Sequence, residues 1–548
     1  MARSQEDKFD YIVVGAGSAG SVVVNRLSAD GKSIILVLEA GGPDRDPFLH
    51  IPAGYVKTLT NPRLTWPFKT EPSPGSGGRA IPLPQGRVYG GSSSLNGLVY
   101  NRGQAADFDE WAEMGNLGWG YEDVLPYFRR SERRVGPGDA RYHGRQGNIT
   151  VSDPVWKNEL CEAFIESVES TGILRNPDYN GATQAGVGYF QRMISGRFRV
   201  SAATGFLHPA LKRRNVEIRP SAQVCDLFIE NGRVAGVWYL KDGNPSIRTL
   251  VRCRREVVLC AGTINTTRIM QLAGIGDGAL LSKAGIETRH HLPGVGRNFR
   301  DHYFIHINQR MKESVLSLNQ QAKGWRLGVE ILKWLAGVPN IVSLSPSIVY
   351  AFCKSHPSVA RPDLQYIFTP GSYKPGHVYV LDDFPAVTCG FSQHRPESVG
   401  HISVTSPDPT VSPVIQPNYL SASMDQIVVV RALRLARAFL AAKPLAPFVE
   451  SEEEPGQSVQ SDEALLDFAQ RTGNTGYHLV GACSMGPRGN PLAVVDPELR
   501  AHGLDGLRIV DASVMPAMPS ANTYASTLMI AERGADLIRG ISQCVNAR

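Results

Sequence analysis

The N-terminal run Tyr11-Ile-Val-Val-Gly-Ala-Gly-Ser-Ala-Gly20 constrains the fold most, because a β-branched strand leads directly into spaced glycines and then a helical segment. In such a run Gly15 permits the tight turn, Gly17 lets the backbone approach a phosphate, and Gly20 lets the helix pack on the strand. A second apolar strand then delivers Glu39, whose carboxylate can accept hydrogen bonds from a ribose. This order of elements predicts a binding site for an adenine dinucleotide, with the phosphates at the helix N-terminus.

The composition is typical of a globular enzyme with several domain-sized units: 548 residues, 42% hydrophobic and 20% charged. The formal net charge of +6 is slight for this length and no dense Lys/Arg block stands out, which argues against nucleic acid as a partner. The polar N-terminus lacks an apolar signal core, and no apolar run reaches about 18 residues, so no transmembrane segment is predicted. We therefore expect a cytoplasmic location.

One amphipathic stretch, residues 325–339, combines tryptophan and aliphatic residues with charged ones. We expect it to form a core helix of a second domain. The alternative is a membrane-surface or lid helix, which would add a peripheral membrane contact to the cytoplasmic location.

The eight cysteines show no Cys-x-x-Cys spacing, and several of them, such as Cys260, sit inside apolar runs. This pattern is typical of buried, reduced thiols. We expect no disulfides and no metal site.

Nucleotide-type elements occur at the beginning, in the middle and at the end of the chain. We therefore expect an α/β fold whose Rossmann-like cofactor-binding domain is discontinuous in sequence, comprising residues 1–155, 205–310 and 470–548. Residues 156–204 and 311–469 should form an α+β substrate domain, with an antiparallel or mixed sheet backed by helices. The elements behind this division are a hairpin turning at Asn231-Gly232, a strand–glycine–helix unit at 256–265, β-rich runs at 378–381 and 401–405, a long helix near 426–442, and a closing strand and helix at 507–511 and 526–539.

Four ordered blocks extend over nearly the whole chain. They are Gly15-Ala-Gly-Ser-Ala-Gly20 with Glu39-Ala-Gly-Gly42; Gly86-Arg-Val-Tyr-Gly-Gly-Ser-Ser-Ser-Leu-Asn96-Gly; Leu272-Ala-Gly-Ile-Gly276 with Leu292-Pro-Gly-Val-Gly-Arg-Asn-Phe-Arg-Asp-His302; and Tyr477-His-Leu-Val-Gly-Ala-Cys-Ser-Met-Gly486 with Val510-Asp-Ala-Ser-Val-Met-Pro516. They resemble the glucose-methanol-choline (GMC) family of flavin alcohol oxidoreductases. The resemblance implies FAD in the nucleotide domain and an alcohol between the flavin and the second domain. In some relatives a histidine at the position of Leu95 bonds covalently to the flavin; leucine cannot, so we expect non-covalent FAD.

The glycine motif and the resemblance together give a predicted FAD-binding set. It consists of Gly15, Gly17, Ser18, Ala19, Gly20, Glu39, Ala40, Arg87, Gly91, Ser92, Asn96, Gly97, Val99, Val224, Ala261, Gly262, Tyr477, Asp511, Ala512 and Thr523.

The resemblance also identifies His478 as the catalytic base, because oxidation of an alcohol requires removal of the hydroxyl proton and a histidine has a pKa of about 6.5. At the second catalytic position, where relatives carry His or Asn, this chain has Tyr524. A shift in register would bring Asn522 there instead, and Tyr524 could equally be a wall of the pocket. We expect Tyr100 and Phe352 to line the substrate cavity together with His478 and Tyr524. We expect His302 to be structural.

The resemblance therefore implies FAD-dependent oxidation of a primary alcohol to the aldehyde, with electrons passed to a quinone or another carrier rather than to NAD. An alcohol oxidase using O2 is an alternative, as is a non-redox FAD-containing lyase of the same family or a flavin protein without catalysis. A neutral aromatic or polyol-like alcohol is the preferred substrate class.

Overall fold

The computed structural model describes residues 8–374 and 380–541. The β-rich run predicted at 378–381 lies partly, and Cys544 wholly, outside these residues. The seven cysteines within them are all buried and free, as their apolar surroundings predicted.

The described chain contains helices and strands that alternate along most of its length. The helices are α1 (Ser18–Leu27), α2 (Tyr55–Thr58), α3 (Ala105–Glu113), α4 (Tyr121–Ser131), α5 (Glu159–Glu169), α6 (His208–Leu211), α7 (Gly262–Leu272), α8 (Gly278–Lys283), α9 (Leu318–Gln321), α10 (Gly324–Leu335), α11 (Ser423–Ala441), α12 (Asp462–Thr472) and α13 (Tyr524–Arg539). The strands are β1 (Phe9–Val14), β2 (Ile35–Leu38), β3 (Thr65–Trp66), β4 (Gln85–Gly86), β5 (Glu132–Val135), β6 (Ile149–Ser152), β7 (Gly186–Tyr189), β8 (Ile194–Ser195), β9 (Phe198–Arg199), β10 (Val216–Arg219), β11 (Ala222–Glu230), β12 (Arg233–Lys241), β13 (Arg248–Leu259), β14 (Ile275–Gly276), β15 (His290–His291), β16 (Tyr303–Met311), β17 (Val349–Cys353), β18 (Leu364–Thr369), β19 (Ala386–Gln393), β20 (His401–Ser403), β21 (Val414–Gln416), β22 (Val449–Glu454), β23 (Asn474–Thr475) and β24 (Leu507–Ile509).

The first large sheet has the strand order β10-β2-β1-β13-β12-β11, with β24 paired to β13. Its β10, β2, β1, β13 and β24 run parallel, and their apolar side chains are buried on both faces, as in Ile12 and Val13. Helices α1 and α13 pack against each other on this sheet. The sheet thus joins the beginning, middle and end of the chain, which confirms the discontinuous α/β fold.

The second large sheet has the order β22-β16-β19-β18-β17-β7, with β23 paired to β16, and it is antiparallel. Helices α5, α11 and α12 cover one face, where for example Phe164 stacks on Phe368 with ring centroids 4.2 Å apart. This confirms an α+β unit backed by helices. Strand β16 belongs to this sheet although the predicted cofactor segment runs to residue 310, so that boundary is wrong here. The rest of the division into domains stays a prediction.

The predicted hairpin turn, the long helix and the closing helix are all present in the structure. Asn231 and Gly232 both have positive φ, at 50° and 75°, and join β11 to β12 as a tight hairpin turn. The long helix near 426–442 is α11, and the closing helix is α13. Within residues 8–374 and 380–541, none of the helices is both long and apolar enough to cross a bilayer.

The amphipathic stretch at 325–339 differs from its prediction. It forms α10 on the surface, with Trp334 buried and most of the other side chains exposed. The expectation of a core helix is therefore wrong, because only one narrow face of α10 contacts the protein.

Candidate active site

A cavity of about 730 Å³ lies between the two large sheets. It is lined by 18 of the 20 predicted FAD-binding residues. The two exceptions are Gly20, which packs behind the cavity, and Arg87, whose guanidinium lies 4.6 Å from the ring centre of Trp66 and donates to the carbonyl of Ala40. The sequence motifs thus converge on one site.

The glycine turn is built as its spacing predicted. Gly15 has a φ of +97°, and a Cβ added at Gly20 would lie 1.9 Å from the Gly15 carbonyl oxygen, so only glycine lets α1 pack this closely. Helix α1 begins after Gly17 without a side-chain cap and without an acidic residue in its first turn. Its first N–H groups therefore face the cavity as an anion site.

Two further blocks hold this turn in place. The backbone N–H of Gly90 donates to the Ala16 carbonyl at 2.8 Å, and a Cβ on Gly91 would lie 2.8 Å from the Cα of Gly17. Glu39 accepts from the backbone N–H groups of Ala16 and Gly41 at 2.8 and 2.7 Å, and burial raises the pKa of its carboxyl. The carboxylate is thus fixed at the end of β2, facing the cavity.

Asp511, which follows β24, ties the last part of the chain to the middle. Its Oδ2 accepts from the Gly262 N–H at 2.9 Å and from the Thr266 hydroxyl at 2.6 Å, while Oδ1 accepts from Ser513. Burial raises the pKa of this carboxyl. Asp511 therefore orients the N-terminus of α7 toward the cavity as well as lining it.

At the other end of the cavity, buried Asp301 positions the loop that carries His478. Its Oδ1 accepts from the backbone N–H of His478 at 2.8 Å, and its Oδ2 accepts from the hydroxyls of Thr475 and Tyr419 at 2.5 and 2.6 Å. Burial raises the pKa of this carboxyl to about 6. Next to His478, Tyr477 adopts a positive φ of 62°, an uncommon backbone conformation that this network maintains.

Two hydrogen bonds determine which nitrogen of His478 carries its proton. The Nε2 of His302 lies 2.8 Å from the carbonyl oxygen of His394, and a carbonyl can only accept, so His302 carries its proton on Nε2. Its Nδ1 is then an acceptor, and the His478 Nδ1 at 2.8 Å must be the donor. The Nε2 of His478 is therefore unprotonated, and its lone pair can accept a hydrogen bond or a proton.

Both rings are neutral at physiological pH. Burial lowers the pKa of His302 to about 4 and, together with the neighbouring His302, lowers the pKa of His478 well below its usual range. A neutral imidazole with an exposed lone pair is the form that a general base requires.

The lone pair of His478 points to Asn522. The Asn522 Nδ2 lies 3.0 Å from His478 Nε2, and the Asn522 Oδ1 accepts from the side-chain amide of Gln365 at 3.3 Å, which orients the amide group. Tyr524, the first residue of α13, also lines the cavity, but its hydroxyl has no hydrogen-bond partner among the described residues. Burial raises the pKa of this phenol far above its usual range.

Two of the predicted substrate contacts lie elsewhere. Tyr100 and Phe352 are fully buried and do not line the cavity. Phe352 lies on the same face of the second sheet as Phe304, but three strands away on β17, where it packs with Tyr350, Tyr179 and Phe190 in an aromatic cluster. The prediction that these two residues touch the substrate is therefore wrong.

The second sheet supplies a wall that the sequence analysis did not identify. Alternate residues of β16, namely Phe304, His306 and Asn308, line the cavity, and the Phe304 ring centre lies 6.1 Å from that of His478. Asn308 donates to the Glu454 carboxylate at 2.8 Å, and burial raises the pKa of Glu454. The sequence of β16 could have indicated this wall, because apolar Ile305 and Ile307 face the core and the residues that alternate with them must face the other way.

The cavity fits FAD. The glycine turn and the uncapped α1 suit a diphosphate, Glu39 suits a ribose, and two buried polar atoms of the wall, Asn265 Oδ1 and the Tyr524 hydroxyl, lack protein partners within the described residues.

Comparison with known proteins agrees with this geometry. A family model described as GMC oxidoreductase matches residues 9–304 with its N-terminal part and residues 396–531 with its C-terminal part. An oxygen-dependent choline dehydrogenase from Rhizobium etli is 37% identical over 537 residues, which cover 97% of this chain and 95% of the relative. The enzyme of the same name from Staphylococcus saprophyticus is 37% identical over 544 residues, covering 98% of this chain and 95% of the relative.

Solved structures show the same architecture. Pyridoxine 4-oxidase from Mesorbium loti has a TM-score of 0.86 and 29% identity, covering 96% of this chain and 98% of that one. A formate oxidase variant from Aspergillus oryzae has a TM-score of 0.88 at 23% identity, covering 98% and 99%, and supports the fold alone. The chain belongs to the GMC oxidoreductase family and is an FAD-dependent oxidoreductase that acts on CH–OH donors.

Proposed function

We propose that the protein oxidises a primary alcohol to the aldehyde, with His478 Nε2 taking the proton of the alcohol hydroxyl. When bound, FAD supplies the acceptor of the hydride that leaves the alcohol carbon, at flavin N5. The observation that carries the proposal is the pair of hydrogen bonds from His394 through His302 to His478, which leaves the His478 Nε2 unprotonated at the cavity wall.

Asn522 is a hydrogen-bond partner of the proposed base, His478. In the present structure its Nδ2–H donates to the His478 lone pair. An alcohol hydroxyl that binds there replaces this donor, and the amide N–H is then available to the alcohol oxygen, on which negative charge develops. Tyr524 is a cavity wall in this proposal, since its raised pKa excludes it as a base at neutral pH.

FAD binding is proposed to be non-covalent. Leu95, at the position where a family member can carry a linking histidine, is a buried hydrocarbon side chain without a nucleophile. The residues that hold the cofactor are the 18 predicted ones that line the cavity, with Gly20 acting through helix packing.

The substrate is proposed to combine an apolar carbon next to the hydroxyl with a polar distal end. Phe304 contributes an aromatic face beside His478, and the wall beyond it carries His306, Asn308 and Glu454. Of the acidic lining residues, Glu39 and Asp511 belong to the cofactor end, so Glu454 is the acid available to the substrate. Burial, with Asp382 and Glu453 nearby, raises the pKa of its carboxyl, and such a carboxyl suits a hydroxyl or an ammonium group.

The electron acceptor is proposed to be a quinone or another carrier rather than NAD. Oxygen is the alternative, because the similar proteins carry the names oxygen-dependent choline dehydrogenase and pyridoxine 4-oxidase. The proposed location is the cytoplasm, and peripheral membrane contact is the alternative.

Anaerobic mixing of the yellow protein with a panel of aliphatic, aromatic, polyol and ammonium alcohols tests the proposal. Loss of the oxidised-flavin absorbance with at least one primary alcohol, and aldehyde in equal amount, is the expected result. Protein that keeps its flavin spectrum with every alcohol, while cleaving or forming a cyanohydrin, would instead be a lyase. Adding oxygen or an artificial acceptor afterwards separates oxidase from dehydrogenase.

A further inference from the structure

Helix α10 has an apolar surface where a helix of a water-soluble protein normally has polar residues. Its outer face, defined here as Trp325, Val329, Leu332 and Leu335, points away from the protein at helical spacing. The exposed fractions of Trp325, Leu332 and Leu335 are 76%, 67% and 55%. These side chains form one continuous patch, unlike the single exposed apolar residues found on most surfaces.

The inner face of α10 is anchored, so the outer face is not left exposed by a loosely attached helix. Trp334 is buried, with its ring edge-on to Phe198 at 5.6 Å and the Arg197 guanidinium 5.3 Å from its centre. The Asn340 amide donates to the carbonyl of Glu330 on the same inner side. The helix is therefore held in an orientation that presents apolar side chains to the surroundings.

Basic side chains border the patch. Lys323, Arg326 and Lys333 lie at the N-terminus and on one flank of the helix, and all three are exposed. The acidic residue of the segment, Glu330, lies inward and is bonded to Lys333 at 2.7 Å. Lys323 is bonded to Asp383 at 2.8 Å, so both lysines are paired with acidic residues and Arg326 gives the flank its excess of positive charge.

The helix also lies close to the catalytic cavity. Lys323 donates to the Asp382 carbonyl at 2.8 Å, and Asp383 in turn binds Lys374, which lines the cavity. At its other end α10 contacts the turn Ile341–Ser343, just before the lining residues Pro346 and Ser347. A binding partner that covers the outer face of α10 would therefore lie next to the cavity wall formed by Lys374, Pro346 and Ser347.

We propose that the outer face of α10 inserts into the interface of an anionic phospholipid bilayer, with Arg326 and Lys333 at the level of the headgroups. Tryptophan and leucine on one face with basic residues beside them are typical of helices that lie in a membrane interface. A second copy of the chain is a poorer occupant. A twelve-residue helix offers a stripe about 18 Å long and about 10 Å wide, whereas a stable protein interface buries about 800 Å² per partner.

Vesicle sedimentation of the FAD-loaded protein tests this proposal, independently of the alcohol that the enzyme oxidises. The probes are vesicles of phosphatidylcholine alone and of phosphatidylcholine mixed with phosphatidylglycerol. We expect binding to the anionic vesicles that weakens with added salt, and about a tenfold or greater loss of the partition coefficient in Trp325→Ser/Leu332→Ser. The matched control Leu117→Ser/Leu174→Ser removes apolar side chains of 80% and 81% exposure from other sites and should bind like the wild type.

Two further measurements distinguish membrane insertion from a damaged fold and from self-association. Flavin content and turnover of a soluble alcohol with a soluble acceptor should be unchanged in Trp325→Ser/Leu332→Ser, because the outer face does not contact the cavity. The fluorescence difference between wild type and Trp325→Ser should shift to the blue on vesicle binding. Equal sedimentation of the double variant and the wild type, no binding of the wild type, or a wild-type dimer that the double variant loses would each overturn the proposal.

Discussion

The end of the cavity that fits the dinucleotide is shaped mainly by backbone, whereas the end that holds His478 is shaped by side chains. The first depends on close approaches such as Gly20 to Gly15 and Gly91 to Gly17, and on helix N-termini. The second depends on hydrogen bonds that join His478 to Asp301, His302 and Asn522, which are far apart in sequence. A methyl group added at one of these close-packed glycines should therefore abolish FAD binding. The loss of a single polar group around His478 should instead lower the rate of alcohol oxidation.

The largest expected effect is at the backbone end. Gly20→Ala places a Cβ 1.9 Å from the Gly15 carbonyl oxygen, so α1 must move away from the strand and the phosphate site is lost. We expect protein without flavin, or no folded protein. Gly42→Ala is the matched control, because a Cβ there meets no atom of residues 8–374 and 380–541 within 4 Å, and this variant should retain its yellow colour. Normal flavin content in Gly20→Ala, measured by absorbance after desalting, would contradict the tight-packing account.

The next largest effect is at His478. His478→Gln removes the base but keeps the backbone N–H that binds Asp301, so the loop and the flavin should stay in place. We expect turnover to fall about 100-fold to 10,000-fold. Flavin content and thermal midpoint serve as controls and should match the wild type. Unchanged turnover would remove His478 from the chemistry.

His302 should act as a positioning residue through the proton of His478. His302→Phe removes the acceptor of the His478 Nδ1–H, and we expect kcat to fall about tenfold to a hundredfold, since a buried unsatisfied donor costs about 1–3 kcal/mol. KM should change little. His302→Gln offers an amide oxygen as a replacement acceptor and should recover part of the loss. An equal loss in both variants, with an unaltered pH profile, would indicate a purely structural role.

The smallest effects separate the two candidates for the second catalytic position. Asn522→Ala deletes the donor that faces His478 Nε2 and should reduce kcat/KM about tenfold. Tyr524→Phe removes a hydroxyl without a described partner and should change kcat/KM by less than about threefold. Steady-state kinetics of both variants, measured with the same alcohol, decide between them. A larger loss in Tyr524→Phe would reverse the assignment.

The same difference between the two ends of the cavity explains which parts of the site could be predicted from the sequence. The residues of the glycine turn lie within one short run, so their spacing alone indicates strand, turn and helix, and Glu39 follows from the next strand. The contact of His302 with His478 spans 176 positions and depends on how β16 pairs with β23, which no local pattern specifies.

Burial was hardest to predict. Periodicity identified the helix at 325–339 but gave no information about which face would be covered, and the apolar face turned out to be the exposed one. Tyr100 and Phe352 were predicted to line the substrate cavity, but both side chains are fully buried outside it, and Phe352 packs in an aromatic cluster three strands from Phe304. Asn522 and Tyr524 differ in sequence by only two positions, so the geometry at the start of α13 was needed to distinguish them.

Rapid mixing of the alcohol with the oxidised holoenzyme without oxygen, over a range of pH, tests the central claim most directly. The rate of flavin absorbance loss reports the chemical step, and an alcohol deuterated at its reacting carbon should slow it. Because the pKa of His478 lies well below 6.5, the base stays neutral as pH falls, and the rate should decrease only at pH values clearly below 6.5. A decrease that begins at or above 6.5, or no flavin reduction in the wild type, would contradict the account.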